Sequence, residues 1–279
     1  MGFPAVVRKD FRDSVRSFWL QFTTAIFVVF AAGLASIQWI PVMYQSSPVE
    51  TSTLALLNSM RQPTVFMVPL ISLIVAYDTV VGERESGSLR LLLGLPNSRA
   101  AVVFGKFVGR TGVITVSILV GYACAALIAF ATYESFDAGI FVRYTLLTVF
   151  YGTVYVALAT GFSAGMQSRQ RAFVGAGGLY ALVILLWDVL LFVLQMVIYG
   201  QEIPENGLPD WFKFIGMLNP STAFMHAARA VIPEYREITF YPEGTAFYLD
   251  DWVGFAILFC WGAIPLVLGY LWFERTDLQ

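Results

Sequence analysis

Residues 78–99 read Asp78-Thr-Val-Val-Gly-Glu-Arg-Glu-Ser-Gly-Ser-Leu-Arg-Leu-Leu-Leu-Gly-Leu-Pro-Asn-Ser-Arg99, a charged hairpin joining two long apolar stretches. Charged residues are only 13% of the chain, so their concentration here is a departure from its own composition. Glu83 and Glu85 precede the stripe Leu89, Leu91, Leu92, Leu93 and Leu95, and carboxylates favour a helix N-terminus. Pro96 then ends or kinks the helix. A short helix displayed at a membrane boundary is a means of docking a soluble partner.

The rest of the chain supplies the membrane. Of the 279 residues 58% are hydrophobic and the mean hydropathy is +0.70, whereas soluble domains are roughly half apolar. Crossing ~30 Å of hydrocarbon takes about 20 apolar residues in a helix. Six spans of that kind are expected, at about 18–40, 63–81, 102–132, 140–168, 172–199 and 252–273. The expected fold is an all-α polytopic membrane protein, a single transmembrane domain over residues 1–279 with a cytoplasmic hairpin at 82–101.

Lys and Arg stay on the cytoplasmic side of short loops. With the N-terminus inside, 12 of the 17 basic residues are cytoplasmic, leaving Arg61, Arg143, Lys213, Arg229 and Arg236 outside. Both termini are then cytoplasmic, which an even number of spans requires. The first span is not read as a cleaved signal, because the segment before it is long and mixes Asp10 and Asp13 with its bases. In residues 6–17, Val7, Phe11 and Val15 recur at i, i+4 and i+8, the pattern of an interfacial helix. An ordinary charged helix end gives the same pattern.

Residues 200–251 form the outer segment, expected to carry short helices that roof the bundle. Asn219 and Pro220 predict one of them over Pro220 to about Ala230, a cap followed by proline at the first helical position. The pairs Gly105 and Gly109, and Gly161 and Gly165, have the small-xxx-small spacing of close helix packing.

Several chemistries are missing from the pattern. There is no G-x-x-x-x-G-K-[ST] phosphate loop, no HExxH and no CxxC, and His226 is the sole histidine. Cys124 and Cys260 lie within spans without ligand spacing, so no metal site is expected. Asp188 stands out inside the fifth span, where a carboxylate costs several kcal/mol unless paired, protonated or hydrated. It marks either a substrate pathway or a carboxylate satisfied by a neighbouring helix, an opposing subunit or a break in the span. Asp78 shares its level with Lys106 and Arg110, so ion pairs across the hairpin are expected.

The pattern Asp78-x-x-x-Gly82-Glu83-x-Glu85-x-Gly87-Ser88-Leu89-x-Leu91-Leu92-x-x-x-Pro96-x-x-Arg99, followed by Gly105-Lys106, resembles the signature of the type 2 ABC exporter permeases. The segments Arg8 to Asp13, Leu218-Asn219-Pro220 and Phe273 to Leu278 resemble other parts of that family. Ala76-Tyr77-Asp78 and Gly105 to Gly109 look most similar to the branch that serves copper-site maturation of nitrous oxide reductase. The resemblance implies a permease that pairs with a second copy of itself and with two copies of a separate ABC ATPase. The partner would bind ATP and Mg, and this chain no cofactor and no nucleic acid. Glu83, Glu85, Gly87, Leu89, Arg90, Leu92, Pro96 and Arg99 would form the ATPase-coupling surface. Ser88 stands where the family usually has threonine, and Arg90 adds a charge.

Three functions follow. The first is export of a cargo across the cell membrane. The second is mechanotransmission to an extracytoplasmic protein without bulk transport. The third is a six-span scaffold or a membrane enzyme using Asp188, and the enzyme reading lacks a second catalytic group in the sequence.

Overall fold

The computed structural model describes residues 3–16, 18–37, 51–94, 98–200, 207–241 and 246–275. The described chain is helical, in the order α1 (Phe3–Arg16), α2 (Phe18–Ala35), α3 (Thr53–Ala76), α4 (Val81–Glu85), α5 (Ser88–Gly94), α6 (Arg99–Thr132) and α7 (Ala138–Gly165). There follow α8 (Arg169–Tyr180), a π-helical stretch Ala181–Leu186, α9 (Trp187–Tyr199), α10 (Asp210–Met217), α11 (Pro220–Val231) and α12 (Val253–Arg275). Two 3-10 turns, Pro233–Ile238 and Phe247–Leu249, lie between α11 and α12.

Five stretches are long and apolar enough to cross a membrane: Thr53–Glu85, Arg99–Thr132, Ala138–Gly165, Arg169–Tyr199 and Val253–Arg275. The protein is therefore a multi-pass membrane protein. The remaining expected span, 18–40, is helical only to Ala35, and its apolar part, Leu20–Ala35, is shorter than the other five. Its expected end lies outside the described residues. The second span differs too, since α3 starts at Thr53 and not at residue 63. Ser52 caps it by accepting from the Ala55 N–H, and Pro63 sits within the helix. Arg61, on this added part of the helix, is satisfied by donating to the Ile238 carbonyl at 2.8 Å.

Helix α7 is the axis of the bundle. Its most apolar stretch is 72% buried, against 6% for α8 through α9, which are left open along their length. Glycines bring the backbones together: Gly161 of α7 and Gly269 of α12 face each other directly, and Gly254 abuts the Ala223 carbonyl of α11. Such contacts replace the hydrophobic drive that lipid removes. Thr23 and Thr24 of α2 both reach Ser117 of α6 at 3.0 Å, satisfying hydroxyls between two apolar helices.

The core around α7 holds Tyr122, Tyr144 and Tyr151, all fully buried. Tyr122 meets Thr64 at 2.9 Å. Pro69 has no N–H, so the Val65 carbonyl four residues back lacks its helical donor. The Tyr151 hydroxyl points to that carbonyl at 3.5 Å.

Helix α1 does not stand apart. It lies in a trough on α6, with Val6 over Gly105, Asp10 over Gly109 and Phe11 over Gly112. Val6 and Asp10 are buried. The face that reads as lipid-seeking in sequence is thus only part of its packing surface.

Candidate functional site

The hairpin is built on one end of the bundle. The turn after α3 aims the Val80 and Val81 N–H groups at Ser163 of α7, whose Oγ accepts both at 2.9 and 3.1 Å. These are donors that a helix start leaves unmatched. Gly87 then takes φ +75°, a conformation that a side chain disfavours, and α5 begins in a new direction.

Leu89 is 1% exposed, packed among Val80, Val102, Val103, Leu266 and Phe273. Leu92 and Leu93 lie partly buried against the same cluster, at the i+3 and i+4 positions of one helical face. Leu91 faces away and is 77% exposed. Of the expected coupling residues, Leu89 is thus an anchor rather than a docking contact. Pro96 lies outside the described residues, as does the Arg90 side chain.

Two arginines clamp the hairpin to the ends of α7 and α12. Arg84 donates to the Met166 carbonyl at 2.6 Å, and Arg99 to the Phe273 and Glu274 carbonyls at 2.7 and 2.8 Å. Both guanidiniums lie over the Phe273 ring, at 5.3 and 5.5 Å. Arg99 is therefore turned inward, and Arg84, absent from the expected set, shares its task. Glu85 binds Arg169, accepting its backbone N–H at 2.8 Å and meeting its guanidinium at 3.5 Å.

A buried ionic node joins the hairpin to α1. Lys106, 5% exposed, pairs with Glu83 at 2.9 Å and with Asp10 at 3.6 Å. Asp10 also meets Arg110 at 3.4 Å, and Glu83 meets Lys9 at 3.5 Å. The expected ion pairs of Lys106 and Arg110 with Asp78 are not formed. The turn from Tyr77 carries Glu83 of α4 into that position, and α1 brings Asp10. Burial pushes the Asp10 carboxyl above its ordinary value, despite the opposing pull of Arg110 and Lys106.

At the opposite end, α10 and α11 close a roof. Asn219 serves two elements: its Oδ1 accepts from the Ser221 N–H, and its Nδ2 donates 2.7 Å to the Val183 carbonyl in the π-helical stretch. The Pro220–Val231 helix follows with proline at its first position, matching the expected start. Asp188 follows the π-helical stretch and lines a cavity of about 200 Å³ with Lys213, Thr222, His226 and Tyr241. Lys213 is already paired with Asp210 at 3.2 Å.

Behind that cavity Asp251 is a hub, 8% exposed. It meets His226 Nδ1 at 2.8 Å, Arg229 at 3.5 Å and Arg236 at 2.7 Å. No sequence pattern singles it out, because its partners come from two other segments of the roof. Burial pushes His226 below its ordinary value; Asp251 opposes this and Arg229 adds to it. Neutral His226 is therefore favoured in the folded protein, and the unfolded chain takes up the proton more readily. Its contribution is complete above the unfolded value of 6.5 and is lost as pH falls below it. The change in unfolding temperature between pH 7.5 and pH 5 should be less destabilising in His226→Gln than in wild type, since the variant lacks this loss.

Comparison with known proteins covers nearly the whole chain. Residues 4–278 match the family model described as ABC-2 family transporter protein. A protein of Stutzerimonas stutzeri, named probable ABC transporter permease protein NosY, is 32% identical over 223 residues, 78% of each chain. A Pseudomonas aeruginosa protein of the same name is 28% identical over 267 residues, 92% of this chain and 95% of the relative.

Proposed function

Because this chain belongs to the ABC-2 transporter family, whose membership implies an ABC ATPase partner, we propose that α4 and α5 are where that partner drives it. The carrying observation is the split of α5 into a buried face, Leu89, and an exposed one, Leu91, on a base clamped to α6, α7 and α12. Leu91, Ser86 and Gly94 lie exposed on the hairpin, where a groove of the ATPase could receive them. ATP and Mg are held by the partner. The hairpin and both termini face the cytoplasm, in line with the distribution of Lys and Arg.

In this reading two copies of the chain pair, with two ATPases beneath them. The uncovered surface of α8 and α9 supports the pairing. It carries Asp188, exposed beside the cavity beneath the roof, among apolar neighbours where a carboxylate is costly unless paired or hydrated. A second copy or a hydrated path would cover that charge. The permease then couples hydrolysis to movement of a cargo past Asp188.

The test is ATPase turnover in the reconstituted complex. Leu91→Asp is expected to lower permease-stimulated turnover about tenfold or more, as removal of a central interface contact does, without changing the unfolding temperature. Turnover at the wild-type rate with Leu91→Asp overturns this placement.

A specific observation favours the second reading, mechanotransmission to an extracytoplasmic protein. The roof is fixed to α12 by the Asp251 hub, by Gly254 against Ala223, and by Trp261 donating to the Leu218 carbonyl at 2.9 Å. It displays Phe240 at 92% and Phe247 at 81% exposure. ATP-dependent cross-linking of an outer protein through these residues favours that reading. ATP-driven accumulation of cargo in vesicles, lost in Asp188→Asn, favours transport.

A further inference from the structure

On the hairpin half of the bundle, a groove of about 430 Å³ opens between α7, α8 and α12, floored by Gly161, Gly165 and Gly269 and walled by Pro265, Leu268 and Trp272. At Gly165 an added Cβ would meet only the Gly269 Cα, at 3.6 Å, so the floor stays open there. Its walls are apolar, and its volume is that of a ligand cleft rather than a packing defect.

The groove has a charged rim. On α12, Leu268, Trp272 and Arg275 fall at i, i+4 and i+7, so an arginine stands one turn beyond the tryptophan on the groove face. Met166, the cap of α7 at the groove mouth, leads within five residues to Arg171 on the first turn of α8. Arg171 and Arg275 are both exposed, and among the described residues neither meets a carboxylate. Arg169, by contrast, is engaged by Glu85. An apolar trough ending in a tryptophan and two exposed cations, one of them 3.4 Å from the neutral Gln167 Oε1, at a helix-end level matches one amphiphile, with a hydrocarbon tail and an anionic head.

We propose that this groove is a binding site for an anionic phospholipid, with an acyl chain along Gly165 and Leu268 and its phosphate at Arg171 and Arg275. The groove includes Met166, whose carbonyl accepts from Arg84 of the hairpin at 2.6 Å, so the lipid would lie next to one of the hairpin's anchor points. The site needs no ATPase, so its test is separate from that of the coupling reading.

Native mass spectrometry of the purified protein, incubated with an equimolar mixture of phosphatidylglycerol and phosphatidylcholine, reads the site directly. Wild type should retain phosphatidylglycerol roughly thirtyfold better, the preference expected of two boundary arginines. Arg171→Gln with Arg275→Gln should retain a lipid without that preference. Leu268→Trp should retain neither, since Leu268 is 60% exposed and the larger ring fills the groove without disturbing the core. Gly165→Leu is a second filling variant, because its Cβ meets only an ordinary contact with Gly269 Cα at 3.6 Å. Equal retention of the two lipids by wild type overturns the proposal. So does an unchanged preference in the double arginine variant, or protection of Leu268→Cys by a second copy of the chain instead of by lipid.

Discussion

Lys106→Met is expected to cost about 3–5 kcal/mol of stability, the cost of stripping one partner from a buried ion network. The substitution leaves Asp10 and Glu83 facing each other's charge with only Arg110 and Lys9 at their outer edges. Thermal unfolding in mild detergent should show the loss as a large fall in transition temperature. Asp10→Asn in the same chain should restore much of it. Ionised Asp10 is the expensive member, since burial outweighs the attraction of two cations. Asp10→Asn alone is accordingly expected to cost less than Lys106→Met. An unfolding temperature equal to wild type for Lys106→Met would mean that water reaches the node and carries its charges. The node also joins α1 to α4, so its loss should loosen the coupling hairpin before the bundle.

The second large effect is expected at the crossing of α7 and α12. In Gly269→Ala the added methyl would collide with the Gly161 carbonyl, and in Gly161→Ala with the Pro265 carbonyl. Both neighbours are backbone, so no side chain can turn aside. Overpacking of this kind should cost about 3 kcal/mol or more, because the helices must separate along their length. The readouts are the yield of monodisperse protein and its unfolding temperature. Gly177→Ala is the matched control. Nothing lies within 4 Å of its added Cβ, and alanine should stabilise that helix by up to about 1 kcal/mol. Equal behaviour of the two variants would rule out the glycine contact as the fastening between α7 and α12.

Five of the six expected spans were readable because lipid imposes a length and a composition on whatever crosses it; the first, 18–40, is helical only to Ala35 among the described residues. The start of the second is instructive. Arg61 and Gln62 read as lying before the span, whose expected start is Pro63, yet α3 runs through them. The arginine finds a carbonyl of the roof, and the proline costs only one helical hydrogen bond. The position of the hairpin was equally visible. What each of its residues touches was not, since Glu83 and Asp10 meet only once α1 has settled on α6. The glycine spacing on α6 announced that something would pack there without naming the partner. The division of α5 was within reach: Leu89, Leu92 and Leu93 fall on one helical face and Leu91 does not. The Asp251 hub was out of reach, because its cations are separated from it in sequence and gathered only by the fold of the roof.

The π-helical stretch Ala181–Leu186 sets the phase of everything beyond it. A bulge of this kind adds one residue to a turn, which rotates the following helix by about 100° relative to an unbroken one. The stripe that α8 presents and the stripe that α9 presents therefore point along different bearings, although the sequence between them is uniformly apolar. Asp188 faces the cavity beneath the roof by virtue of that rotation. Shortening the stretch by one residue would leave hydropathy and span length nearly untouched and swing the carboxylate toward another quadrant. A count of apolar residues is blind to that angle, and the amide of Asn219, bound to Val183, holds it in place.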